Sequence, residues 1–261
     1  MMTKIPFVKM HGAGNDFVLI DNREPLFPRE SESALIARLA NRPTGIGCEG
    51  VILLENSVKY DFSMRFFNPD GSSAELCGNG SRCVAVFARD LGVVRGDSMV
   101  FETGAGVIRA QILVNGEVKL AMPLPRAVRE NDLVVGVPHA RIRVDDVSKV
   151  DVNREGRRIR MSAEYAPAGT NVDFIAIRSV HEIDMRTYER GVEAESFACG
   201  TGATAMAALG VLEGSLEFPV RVHTSSGTVL TIDGVLEGKS LTTLTLTGPV
   251  ERVFSGEWRA K

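Results

Sequence analysis

Several features that mark whole classes of protein are missing. No apolar run is long: the longest, Ala203 to Leu212, has ten residues and contains Thr204 and Gly210. A membrane span needs about 18 or more, so no membrane partner is expected. The opening MMTKIPFVKMHG carries no signal-peptide core, and a cytoplasmic location is the expectation. Basic residues are not in excess, with 30 Lys and Arg against 33 Asp and Glu and a net charge of −3. No global positive field recruits nucleic acid. Cysteine is scarce. The four thiols, Cys48, Cys77, Cys83 and Cys199, include no C-x-x-C pair, which excludes zinc-ribbon and thioredoxin-type motifs. The four histidines, His11, His139, His181 and His223, form no H-x-x-x-H, so the sequence supports no metal site.

What remains is a composition ordinary for a globular chain, 44% hydrophobic and 24% charged. A length of 261 residues suits one large domain or two smaller ones. Glycine is the surplus residue, 26 of 261, above the usual level of about 7%. Extra glycine signals tight turns or backbone that comes close to something.

The glycines lead to an internal repeat. Cys77 opens C-G-N-G-S-R-C and Cys199 opens C-G-T-G-A-T-A, 122 positions later. The same offset carries Gly14 to Gly136, Gly47 to Gly169, Val100 to Val222 and Gly116 to Gly238. The expectation is two similar halves, 1–124 and 125–248, joined at the turn-rich Met122-Pro123-Leu124-Pro125. Each half reads as mostly strand: VILLE, DFSMRFFN, GVIRAQILV, TNVDFIAIR and TVLTIDGVL are rich in β-branched and apolar residues and bounded by turn formers. Three helices are expected: Ser31 to Leu39 with Ser33 as a cap, Ser81 to Leu91, and Ala203 to Leu212. The small Ala205, Ala207 and Ala208 suit a helix closely surrounded by strands.

A Cys-Gly-x-Gly at a helix start has a definite chemistry. The first turn has unpaired N–H groups and partial positive charge. A thiol there ionises more readily, its pKa falling from about 8.5 to about 7 or below. The glycines let a ligand approach the backbone, whose N–H groups hold a carboxylate. Two such sites facing each other place sulfurs on opposite sides of one carbon: one thiolate removes a proton, the other thiol supplies one, and the configuration inverts. The plainer readings stand beside this. A lone Cys is usually a small buried hydrophobe, which is the reading for Cys48 and Cys83. Gly45 to Gly50 fits the dinucleotide pattern G-x-G-x-x-G but leads into a strand, the wrong context.

The segments FFNPDGSSAELCGNGSRC (66–83) and TYERGVEAESFACGTGATA (187–205) resemble the two signatures of the diaminopimelate epimerases. KMHGAGNDFVLID (9–21), APAGTNVDF (166–174) and LTGPVERVFSGEW (246–258) resemble the family too, so the likeness spans nearly the whole chain. It implies an α+β fold of two pseudo-symmetric β-barrel-like domains, each around a central helix, with the active site in the cleft between them and residues 249–261 returning to the first domain. It also implies interconversion of L,L- and meso-diaminopimelate in bacterial lysine and peptidoglycan precursor synthesis, with no pyridoxal phosphate, metal or nucleotide. Cys77 and Cys199 are then the acid/base pair, with Cys77 the base toward the L,L isomer. His139 and Glu189 tune them. Gly78, Asn79, Gly200 and Thr201 supply donors to the reacting carboxylate, and Asn15 and Glu189 lie near the amino group. Asn68, Asn171 and Arg190 hold the distal end. A homodimer is common in the family.

Three positions depart from the family pattern. Val137 stands where Asn is frequent, and Glu49-Gly50 where Asp-Gln is frequent. The alternatives left open are a racemase of the same fold acting on another amino acid, and a redox or non-catalytic protein using a Cys77–Cys199 disulfide.

Overall fold

The computed structural model describes residues 3–28, 30–75, 77–129 and 131–260. The chain divides into two compact units, residues 1–120 with 249–261, and residues 121–248.

The first unit runs β1 (Thr3–Gly12), β2 (Asn15–Asp21), α1 (Glu32–Ala40), β3 (Gly50–Glu55), β4 (Phe62–Phe67), β5 (Ser73–Ala74), α2 (Gly78–Asp90), β6 (Ser98–Thr103), β7 (Gly106–Ile112) and β8 (Val118–Ala121). The second runs β9 (Arg126–Arg129), β10 (Asp132–Val135), β11 (Val137–Arg143), α3 (Val152–Arg160), β12 (Asn171–Ser179), β13 (Glu182–Glu189), β14 (Ala194–Ser196), α4 (Gly200–Leu212), β15 (Val220–His223), β16 (Val229–Glu237) and β17 (Ser240–Gly248). The last strand, β18 (Glu251–Ala260), pairs antiparallel with β1.

The two units repeat one topology. A parallel pair, β2–β3 or β11–β12, is followed by an antiparallel partner, β4 or β13. That partner then pairs in parallel with β6 or β15, which opens the final antiparallel strands. In each unit one helix packs inside the curved sheet. α2 touches β1, β2, β3, β4 and β7, and α4 touches β10, β11, β12, β15, β16 and β17. The fold is α+β, as the sequence implies.

Strand alternation explains the layering. Val51, Ile52, Leu53 and Leu54 of β3 are all fully buried, which requires cover on both faces. Val51 and Leu53 join the cluster under α1 with Ile36 and Leu39. Ile52 faces the other way, so close to α2 that a Cβ on Gly80 would lie 2.9 Å from its Cδ1. In β12 the same alternation sends Val172 and Phe174 to a cluster with Val152 of α3 and Tyr188. Asp173, between them, faces α4, where a Cβ on Gly202 would lie 2.6 Å from its Oδ1. Apart from Thr201 and Thr204, α4 consists of apolar residues and glycine, with Ala203, Ala205, Ala207 and Ala208 each at 0% exposure. A helix apolar on nearly every face is one with cover on nearly every face.

Four details differ from the sequence reading. Both central helices start earlier than expected, inside the C-G-x-G motifs, with Cys77 and Cys199 at the N-cap positions in extended conformation. Ser31 rather than Ser33 holds the N-cap position of α1, and the Ser33 hydroxyl instead donates to the Gly71 carbonyl at 2.9 Å. The gapless offset slips by one residue: Phe17 sits opposite Gly50, but His139 sits opposite Asn171 rather than Val172. Finally α3 was not expected. VNREGRRIR has so few apolar residues that periodicity does not mark it, although Val152 and Gly156 are buried. It occupies the place in the second repeat that α1 occupies in the first, so the repeat was the signal that marked it.

Gly156 is the residue that lets α3 settle on the sheet. A Cβ there would lie 2.3 Å from Tyr188 Cβ and 2.6 Å from its Cγ. Gly156→Ala raises helix propensity by about 1 kcal/mol but overpacks a rigid contact, which costs about 1–3 kcal/mol. Urea unfolding should show the variant less stable than the parent. A gain in stability would mean that α3 does not bear on Tyr188 this closely.

Candidate active site

Each unit builds one thiol site at the N-terminus of its central helix. In the second unit, Cys199 caps α4, with Ala203 N–H donating to its carbonyl at 2.9 Å. The Cys199 sulfur lies 3.4 Å from Thr201 Oγ1, and Thr201 Oγ1 lies 3.0 Å from His139 Nε2. His139 Nδ1 is 2.7 Å from Asp173 Oδ2, with both side chains fully buried. A carboxylate can only accept, so the imidazole donates to it from Nδ1. Thr187 Oγ1 donates to the other Asp173 oxygen at 2.7 Å. The parallel β11–β12 register sets this up. His139 faces Asn171, and Asp173, two residues on, shares that face.

Glu189 ends β13 and accepts from Ser196 Oγ at 2.9 Å and from the Cys199 thiol. Burial pushes its carboxyl above the ordinary range. Burial also pushes the Cys199 thiol well up, and the nearby Glu189 and Asp173 carboxylates push it further. The expectation of easy ionisation at both helix starts is therefore overturned for Cys199. Desolvation and two carboxylates outweigh the helix N-terminus and the Gly202 N–H that faces the sulfur. Asn171, buried, accepts the Arg190 backbone N–H on Oδ1 at 2.8 Å, and Arg190 Nη1 donates to the Ala168 carbonyl at 3.2 Å.

In the first unit Cys77 caps α2, half-buried, with Ser81 N–H donating to its carbonyl at 2.8 Å. The Cys77 thiol faces Asn15 Oδ1 at 3.6 Å, and Asn79 Nδ2 donates to the same oxygen at 3.3 Å. Asn15 Nδ2 donates to Glu49 Oε2. A Cβ on Gly78 would meet nothing within 4 Å, so the backbone at this helix start is open to approach. Asn68 lies in a turn, its Nδ2 donating to Ser72 Oγ at 3.0 Å.

The expected site residues thus form two groups, Asn15, Asn68, Cys77, Gly78 and Asn79 in one unit, and His139, Asn171, Glu189, Arg190, Cys199, Gly200 and Thr201 in the other. His139 and Glu189 bear on Cys199. The other two cysteines are inert by environment: burial pushes the Cys48 thiol up to about 11 and the Cys83 thiol to about 12. Among the described residues no group of three or more His, Cys, Asp or Glu side chains could hold a metal, and no helix is long and apolar enough to cross a membrane. The sequence reading missed Asp173, Thr187 and Ser196 as site-forming residues and marked Glu49 only as a departure from the family pattern. Of the three missed, only Asp173 had a signal, a carboxylate placed between Val172 and Phe174 in an apolar strand.

A family model described as diaminopimelate epimerase matches residues 7–128 and 133–253. The chain belongs to the diaminopimelate epimerase family. Among curated members, a diaminopimelate epimerase of Aquifex aeolicus is 44% identical, with 96% of each chain covered. Solved structures share the fold at lower identity. A phenazine biosynthesis protein of the PhzF family from Bacillus anthracis superposes with a TM-score of 0.75 at 16% identity, covering 98% of this chain and 99% of its own. A hydroxyproline epimerase from Agrobacterium vitis superposes at 0.69 and 17% identity, covering 98% and 91%. Conversion of one epimer to another is isomerisation, and this family member is an isomerase.

The environment of Cys199 makes a test. Glu189→Gln removes a carboxylate that holds the thiol protonated. The pH at which iodoacetamide alkylates Cys199, followed by peptide mass spectrometry, should move down in this variant. An unchanged midpoint would leave burial and Asp173 as the causes.

Proposed function

We propose that this protein interconverts L,L- and meso-diaminopimelate by moving a proton on and off the α-carbon between two cysteines. One observation carries the reading: the same helix-start thiol occurs once in each of two repeated units, in a chain of this family. A carbon acid that is deprotonated on one face and reprotonated on the other needs two such groups, and the repeat supplies two.

The residues divide the work. In the L,L direction the Cys77 thiolate takes the α-proton and the Cys199 thiol delivers one to the opposite face; the reverse direction exchanges the roles. After a turnover each sulfur holds what the other held. The charge left on the substrate as the proton departs spreads onto its α-carboxylate. The helix-start N–H groups of Gly78 and Asn79, and of Gly200 and Thr201, suit that carboxylate. His139, fixed by Asp173, bonds Thr201 Oγ1 and so orders the hydroxyl beside Cys199. Asn15 and Glu189 offer partners for the α-amino group. Asn68, Asn171 and Arg190 are assigned to the distal amino-acid head. Asn171 also organises that corner by holding the Arg190 backbone. No step calls on pyridoxal phosphate, a nucleotide or a metal. A cytoplasmic location, a homodimer and a place in lysine and peptidoglycan precursor synthesis belong to the same proposal.

Two variants test it. Cys77→Ala and Cys199→Ala each remove one proton-transfer partner, worth roughly 10²–10⁴ in rate or more. Each should abolish epimerisation to that extent, followed as uptake of solvent deuterium at the α-carbon with inversion. Turnover near normal in either variant would eliminate the two-thiol scheme. Arg190→Met removes a charge-assisted partner of the distal carboxylate, worth about 1.5–3 kcal/mol, so KM for diaminopimelate should rise by about tenfold or more. If KM is unchanged, the distal assignment is wrong, and a panel of other amino acids should then be tested for α-proton exchange.

A further inference from the structure

The charge-rich helix α3 ends on an arginine that behaves unlike its neighbours. Arg154, Arg157 and Arg158 are open to solvent, whereas only 17% of the Arg160 side chain is exposed. Arg160 Nε donates to Glu193 Oε1 at 2.9 Å. The same guanidinium lies against the loop before β12, where a Cβ on Gly169 would sit 2.3 Å from Arg160 Nη1 and 2.9 Å from its Cζ. One side chain thus bears on two segments far apart in sequence, 165–170 and 190–193.

Those segments carry residues assigned to the distal amino-acid head. The loop leads into Asn171, and the turn begins at Arg190. Asn171 Oδ1 accepts the Arg190 N–H at 2.8 Å, and Arg190 Nη1 donates to the Ala168 carbonyl at 3.2 Å. Glu193 closes the turn. Its N–H donates to the Glu189 carbonyl at 2.8 Å, and its Oε1 accepts the Gly191 N–H at 3.1 Å. Its Oε2 accepts from the Tyr188 hydroxyl at 3.2 Å. The Gly191 N–H, Arg160 and Tyr188 hold the Glu193 carboxyl below its ordinary value, so it is ionised at neutral pH. Glu193 also takes a φ of +57°, which residues other than glycine rarely adopt. Such a conformation persists where the surroundings over-determine it, and Arg160 is one of the groups that does so.

The first unit has a counterpart. The turn between β4 and β5 carries Asn68, as the turn between β13 and β14 carries Arg190. Its own outer helix braces it: the Ser33 hydroxyl of α1 donates to the Gly71 carbonyl at 2.9 Å. A hydroxyl does in one unit what an ion pair does in the other. The contact recurs although its chemistry does not, which marks it as a need of the turn rather than an accident of the helix.

We propose that Arg160 is a positioning residue for Arg190: paired with Glu193, it fixes the 190–193 turn against the 165–170 loop, so that Arg190 and Asn171 meet the distal head of the substrate as one preformed unit. The inference rests on reading Arg190 and Asn171 as partners of that head. A preformed turn need not be ordered when substrate binds, so loss of the clamp is felt as lost affinity. The groups that act at the α-carbon lie elsewhere and keep their arrangement.

The test has two arms. Steady-state kinetics on diaminopimelate compares the parent with Arg160→Met, Arg160→Lys, Glu193→Gln and the double variant of Arg160→Met with Glu193→Gln. Arg160→Met and Glu193→Gln should each raise KM by about threefold or more with kcat retained. The double variant should be no worse than the worse single one, since both break the same bond. Arg160→Lys, which keeps the charge, should recover most of the affinity. Unchanged KM in the folded single variants, or effects that add in the double, would overturn the proposal. Glu193→Gln, on an exposed turn, keeps this arm open should Arg160→Met not fold. The second arm uses no substrate: hydrogen exchange read by mass spectrometry should be faster in both single variants over 165–170 and 190–193, with α4 unchanged. Failure of the parent to epimerise diaminopimelate would refute the functional reading instead. The exchange arm then decides alone, and equal exchange in parent and variants over both segments overturns the clamp.

Discussion

A helix enclosed by a curved sheet is the constraint on which both units rest. Enclosure leaves no room for large side chains around α4, whose residues are alanine, glycine, two threonines and a few mid-sized apolar groups. It also leaves no water to satisfy the helix's first N–H groups, so the helix must begin at an edge where something polar can reach it. Cys77 and Cys199 stand at those edges, in extended conformation one residue before the first turn. The thiols are where they are because the helices are where they are.

The repeat duplicates the framework but not the electrostatics. β2 and β11 supply Asn15 and His139 to the two helix starts. Asn15 is a neutral amide whose network ends at a buried Arg82. His139 is an imidazole whose network ends at a buried Asp173. Two chemically identical thiols in near-identical backbones are thereby given opposite surroundings. Burial and the carboxylates of the second unit raise the Cys199 thiol.

The outer helices show how far packing can override composition. α1 has apolar residues at helical spacing and buries Ile36, Leu39 and Ala40. α3 does the same job with Val152, a glycine and a row of arginines. Gly156 brings its backbone onto Tyr188, and Arg154, Arg157 and Arg158 keep the outer face in solvent. A helix this charged is stable because the sheet holds it, not because its own sequence favours it.

By itself, the sequence determined the α+β class, the strands with clear alternation, the repeat, both N-terminal thiols and the family, because each of these is written in local pattern or in runs of matching residues. The buried partners were less legible. Asp173 and Arg82 sit inside segments that were noticed for other reasons, and nothing local says that one turns to an imidazole and the other to an amide. Nor does a C-G-x-G motif reveal how protonated its thiol is. A helix N-terminus favours ionisation at both cysteines, and that much is local. Whether the effect survives depends on desolvation and on carboxylates brought in from β12 and β13, and those meet Cys199 only when strand register and helix packing are complete.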